Sequence, residues 1–186
     1  MVFNVEQCDG LTLPALPVAE AVEWDPLAWC EHIVAGYPNP PAIDNGGDGA
    51  CYMHHADRVR MPLRTQFPEA ADYYATLFHE LGHSTGHETR LNRTTLTATG
   101  PFGDVDYSRE ELVAEMTAAF LCGEAGILNN VAEATAAYIA GWRQALIDEP
   151  TWLVSAAAHA QRAADHILAR PAEHNHPQPA SKVVAP

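Results

Sequence analysis

PEAADYYATLFHELGHSTGHE, residues Pro68 to Glu88, decides how the rest of the chain is read. Inside it lies His79-Glu80-Leu81-Gly82-His83, an H-E-x-x-H pattern. A helix turns about 100° per residue, so positions four apart lie about 40° apart on one face. His79 and His83 therefore aim two imidazoles at one cation. Glu80 lies beside that face, too far round for an easy third ligand, yet near enough to take a proton from metal-bound water. Tyr74, Leu77, Phe78 and Leu81 follow at i, i+3, i+4, i+7 spacing and form an apolar ridge opposite. Gly82, a poor helix former, falls on the site side, where a missing side chain lets another segment approach. Pro68 and Glu69 suit the opening of this helix, and Gly86 its end.

A pattern with three fixed residues also arises by chance, and its plain alternative is a surface helix with two solvated histidines. The next helix decides between them. It opens at Ser108-Arg109-Glu110-Glu111 and runs to about Ala125. Leu112, Val113, Met116, Ala119, Phe120 and Leu121 make it apolar nearly all round, which predicts burial. Glu111 and Glu115 share one face of it. Buried carboxylates without partners are costly, so they need a cation or donors. Ser108 and Glu111 also match a capping box, which accounts for Glu111 without metal but leaves Glu115 unexplained.

Catalytic zinc takes three protein ligands and keeps one position open. The metzincin pattern, H-E-x-x-H-x-x-G-x-x-H, matches as far as Gly86. Its last His falls on Thr89, and His87 comes two residues early, so that completion fails. A carboxylate from the second helix completes the set instead. The expected site is His79, His83 and Glu111 on Zn2+, with Glu80 as general base. Glu115 is the outer-sphere partner of a ligand histidine, or the alternative ligand. His87, Tyr107 and Arg109 lie near the ligands in sequence and are candidates to stabilise an oxyanion or meet substrate.

Outside the two helices, Val2 to Val5 alternates like a strand. Residues 10–17 read as a connector. Asp25-Pro26 starts a helix that reaches about Gly36. Pieces at 41–43, 50–53 and 58–61 predict a small sheet beside the site helix, with Asp44 to Gly49 as a hairpin turn rather than a calcium loop. His54-His55 would point to opposite faces of a strand. The segment from His87 to Tyr107 reads as a long loop, in which Arg90, Asn92 and Arg93 act as anchors. Helices are expected over 131–148 and 150–170. His159 and His166 are read as packing residues. The Pro-rich end, 171–186, reads as a disordered tail after a domain spanning 1–170.

The chain has 186 residues, 47% of them hydrophobic, and a net charge of −14 with ten Lys and Arg. That balance speaks against gripping DNA or RNA through phosphates, so no direct nucleic-acid binding is expected. No stretch reads as membrane-spanning and none as a signal peptide. Cys8, Cys30, Cys51 and Cys122 lack metal-site spacing and read as free buried thiols, as in the cytoplasm.

VFNVEQCDGL, DRVRMP, YYATLFHELGHSTGHETRLNR and YSREELVAEMTAAFL together resemble the C-terminal zincin-like domain of ArdC-type antirestriction proteins of conjugative plasmids, phages and related mobile elements. The resemblance runs in order over most of residues 1–170. It implies an α+β metallopeptidase fold, mostly helical with a small flanking sheet, and a zinc cofactor. It supports His79, Glu80, His83 and an acid of EELVAE as site residues. The expected function is a zinc metallopeptidase of gluzincin type, cutting a protein or peptide in antirestriction or mobile-element transfer. The alternative is a zincin-fold module that inhibits a restriction enzyme or supports a transfer complex without cutting. ArdC-type proteins usually carry an N-terminal domain that binds single-stranded DNA. This chain begins where that domain would end, so such a domain or chain is an expected partner.

Overall fold

The site helix, α2, spans Ala70–Ser84 and is the axis of the structure. A computed structural model describes residues 26–94, 105–128, 147 and 149–171. Tyr74, Leu77, Phe78 and Leu81 are all buried, so the ridge read from spacing is the core face. α2 opens later than expected. Glu69 is its N-cap, and the Glu69 backbone N–H donates to the Asp72 carboxylate at 3.2 Å; Pro68 lies outside. It also closes before Gly86. The Ser84 and Thr85 hydroxyls donate to the carbonyls of Leu81 and Gly82, each at 2.7 Å, and draw the last turn shut. Those short polar side chains compete with the backbone ladder, which is why the helix stops there.

Three further helices surround it among the described residues: α1 (Pro26–Gly36), α3 (Val105–Ala125) and α4 (Thr151–Ile167). α1 matches its expected bounds. It is tied to α2 where the Tyr74 hydroxyl donates to Glu31 at 2.6 Å, and Glu31 also pairs with Arg64. α3 begins at Val105, before Ser108. Ser108 is thus inside the helix, and a capping box there cannot account for Glu111. α3 is buried through Leu112, Val113, Ala114, Ala118, Leu121 and Cys122, but Phe120 is exposed, because α2 and α4 cover only part of its circumference.

The sheet has three strands, β1 (Ala42–Asn45), β2 (Cys51–Met53) and β3 (Arg58–Met61), in the order β1-β3-β2. β3 pairs parallel to β1 and antiparallel to β2. The hairpin expected at Asp44 to Gly49 is therefore not formed. β3 lies between the two strands that the turn joins, and both the Gly46 and Gly47 N–H groups donate to the Met61 carbonyl. Val59 and Met61 of β3 enter the same core as α2. His54 and His55 follow β2 in a single 3-10 turn rather than a strand.

Cys30 and Cys122 are free and buried, whereas Cys51 is free and exposed on edge strand β2. The readings of Val2–Val5, residues 10–17, Asp25, Cys8, most of 131–148, residues 95–104 and the tail from 172 lie outside the described residues. None of the described helices is long and apolar enough to cross a membrane.

Candidate metal centre

α2 and α3 pack face to face, and Gly82 sets how closely. A Cβ on Gly82 would lie 3.1 Å from the Ala114 Cα and 3.2 Å from its carbonyl oxygen. The absent side chain admits the α3 backbone, and that approach carries Glu111 and Glu115 over the histidines of α2.

His79 Nε2 and His83 Nε2 face each other at 3.1 Å. The Glu111 carboxylate completes a triangle, with one oxygen 3.5 Å from His79 Nε2 and the other 3.5 Å from His83 Nε2. One ligand atom from each of the three residues lies within 4.8 Å of the other two, close enough for a single ion to be held among them. This is the one group of metal-capable side chains among the described residues. Two imidazole nitrogens turned towards each other also need a proton or a cation between them.

The remaining ring nitrogens fix the orientation. His79 Nδ1 donates to Glu115 at 3.2 Å. His83 Nδ1 lies 3.6 Å from Glu110. Each histidine thus has a carboxylate behind it that turns Nε2 inward. Sequence reasoning missed Glu110. Its carboxylate is also held by Arg93, from Nη2 at 2.5 Å and from Nε at 3.1 Å. Arg93 further donates to the Gly82 carbonyl at 2.9 Å and to the Thr85 hydroxyl at 2.5 Å. Glu110 is itself buried and so needs donors, and Arg93 supplies them.

Charge follows this geometry. Burial opposes a proton on His79, but Glu111 and Glu115 outweigh it and lift its pKa to about 10. Burial would raise Glu110, but His83 and Arg93 hold it down at about 2. Glu80 is buried beside the triangle, and burial raises its carboxyl above the usual range, against the pull of His83 and His79. The Tyr52 backbone N–H of β2 donates to it. A buried carboxylate of raised pKa, tied to a strand edge, suits proton transfer.

The other sequence candidates fall elsewhere. The His87 ring packs 5.2 Å from that of His54, and its Nδ1 accepts the Thr89 N–H, so it faces the loop. Arg109 lies over the Trp152 ring at 4.6 Å, towards α4. The side chain of Tyr107 lies outside the described residues. Thr89 is exposed. His159 sits against Arg162, and His166 stacks edge-on to Tyr37. Arg90 is an anchor, as expected: it pairs with Asp57 and donates to the carbonyls of Ser84 at 2.7 Å and Asn39 at 3.0 Å.

Comparison with known proteins adds family to geometry. A family described as "Zincin-like metallopeptidase" matches residues 38–159. A DNA primase TraC of Escherichia coli is 40% identical over 168 residues, which are 90% of this chain and 11% of that protein. The crystal structure of antirestriction ArdC protein from R388 plasmid, in its Mn(II)-bound form, is 34% identical with a TM-score of 0.63. That match covers 93% of this chain and 62% of the ArdC chain. Its metal-free form matches with a TM-score of 0.60 and 33% identity, over 89% of this chain and 57% of that one. The chain thus spans less than two thirds of each of these relatives.

Proposed function

The chain belongs to the zincin-like metallopeptidase family, and from that premise we propose that it is a Zn2+-dependent peptidase acting on a protein or peptide in antirestriction or mobile-element transfer. The observation that carries this reading is the triangle of His79, His83 and Glu111, with the buried Glu80 carboxyl beside it. Two histidines and one glutamate are a donor set of catalytic zinc sites. A bound ion would supply Lewis-acid polarisation and water activation near neutral pH.

The protein's own groups do the rest. His79 and His83 would hold the ion through Nε2, because their Nδ1 atoms face Glu115 and Glu110. Arg93 neutralises Glu110 and keeps it under His83. Glu80 accepts a proton at its carboxylate from the water whose oxygen adds to the peptide carbonyl carbon, and delivers it to the amine nitrogen as the C–N bond breaks.

Two histidines and one carboxylate also suit other divalent ions, and the ArdC relative holds Mn(II). Elemental analysis of protein purified without tag, chelator or added metal separates these. About one zinc per chain is expected; stoichiometric manganese with zinc absent sinks the zinc assignment. The relatives' names, DNA primase and antirestriction protein, support a setting on transferred DNA beside a separate DNA-binding domain or chain.

The second reading is a zincin-fold binder that blocks a restriction enzyme without cutting; the antirestriction name of the ArdC relative favours it. Glu80→Gln discriminates. The peptidase reading expects normal metal content with loss of both cleavage and antirestriction in cells. Full antirestriction by that variant would leave the binder reading standing.

A further inference from the structure

On the far side of α3 from the metal triangle lies a cavity of about 1050 Å³. Glu111 and Glu115 face α2, whereas Arg109, Leu112 and Val113 face α4, and the turn at 91–94 closes one end. The volume lies just above the usual range for small-molecule sites, about 300–1,000 Å³. The chain carries a net charge of −14, yet Arg109 and Arg162 line this cavity, together with Arg93, whose charge is already matched by Glu110. Glu149 is the one acid among the described lining residues. His159, also in the wall, is held below its ordinary pKa by burial first and then by Arg162 and Arg93, against the pull of Glu110. α4 reaches the cavity with its N-terminal turn, whose dipole favours an anion.

The walls say what sort of anion. Among the described residues they are helices and a turn, so their backbone groups are largely taken by helical bonds, and no described strand edge is offered to an extended peptide. Recognition falls to side chains. Arg109 stacks its guanidinium 4.6 Å from the centre of the Trp152 ring, and Trp152 stays partly exposed. Arg162 donates from Nη2 to His159 Nδ1 at 3.0 Å, which orients its planar fork. Stacked aromatic and guanidinium planes receive flat heterocycles, and oriented arginines receive phosphate. We propose that this cavity is a second ligand site, which takes a nucleotide with its base on the Trp152–Arg109 stack and its phosphate at Arg162. The same chemistry is offered by a free mononucleotide and by one unit of a single strand. The low overall charge does not oppose this, since a phosphate within a cavity responds to the groups around it and distant exposed charges are screened.

The test is calorimetric titration of the full metal-loaded chain with adenosine monophosphate, inorganic phosphate, a short oligodeoxythymidine and an oligoglutamate peptide. Saturable binding of the mononucleotide is expected, with inorganic phosphate much weaker. Arg162→Gln, an exposed change, is expected to weaken it about tenfold or more, and Trp152→Leu likewise, with zinc content unchanged in both. If Trp152→Leu does not fold, Arg162→Gln alone decides. Tighter binding of the oligonucleotide, with the same Arg162 dependence, identifies a strand as the source and also supports the site. Equal affinity for inorganic phosphate and nucleotide overturns the base-stacking role. Binding of oligoglutamate with nucleotides silent, no binding at all, or nucleotide binding unchanged in Arg162→Gln overturns the proposal.

Discussion

His79 and Glu110 couple the metal centre to protons and to buried charge. In the metal-free protein His79 is held protonated to about pH 10 by Glu111 and Glu115. Binding through Nε2 must displace that proton. Metal affinity is therefore expected to tighten about tenfold per pH unit from 7 towards 10, measured by chelator competition; a flat profile sinks the proton-displacement account. The sign for stability follows. The folded pKa lies above the ordinary 6.5, so the metal-free protein holds this contribution fully below about pH 6.5 and loses it as pH rises through about 10. Glu110 acts through His83 and Arg93. Changing an outer-sphere partner typically costs 10- to 100-fold in metal affinity, so Arg93→Met is expected to weaken zinc binding by about that range while the His79 pair with Glu115 survives. Unchanged affinity would make Arg93 a purely structural residue.

The contact between α2 and α3 is where local preference and packing oppose each other. Alanine is the better helix former at Gly82 by about 1 kcal/mol. Its Cβ would nevertheless press on the Ala114 backbone, which has little room to move. Gly82→Ala is expected to lower the melting temperature and to weaken metal binding, because prying α3 away withdraws Glu111. Gly36, at the end of α1, is the control: nothing lies within 4 Å of its added Cβ. Gly36→Ala is expected to leave metal binding unchanged and to stabilise slightly, by up to about 1 kcal/mol. Thermal melts and zinc titrations of both variants check the pair. Equal behaviour would show that helix approach does not set the site.

Across the whole molecule, Arg90 draws together parts far apart in sequence. It reaches Asp57 after β2, the Tyr52 hydroxyl, Asn39 before β1 and the end of α2. Its side chain is fully buried, so removing it takes the countercharge from Asp57, which keeps the Tyr52 hydroxyl as a side-chain donor, and unties the three segments it joins. Arg90→Met is expected to cost about 3 kcal/mol or more, read by denaturant melts, against little change for Arg58→Met on exposed β1–β3. The sequence by itself determined the site helix, its buried ridge, the failure of the metzincin completion at Thr89, and the pair of acids on α3. Each of these rests on helical periodicity within one element, which spacing encodes directly. The order β1-β3-β2, the start of α3 before Ser108, the role of Glu110 under His83 and the cavity behind α3 were decided only by the tertiary structure. Strand pairing, helix approach and buried charge compensation depend on which distant segments meet, and pattern along one segment does not carry that information.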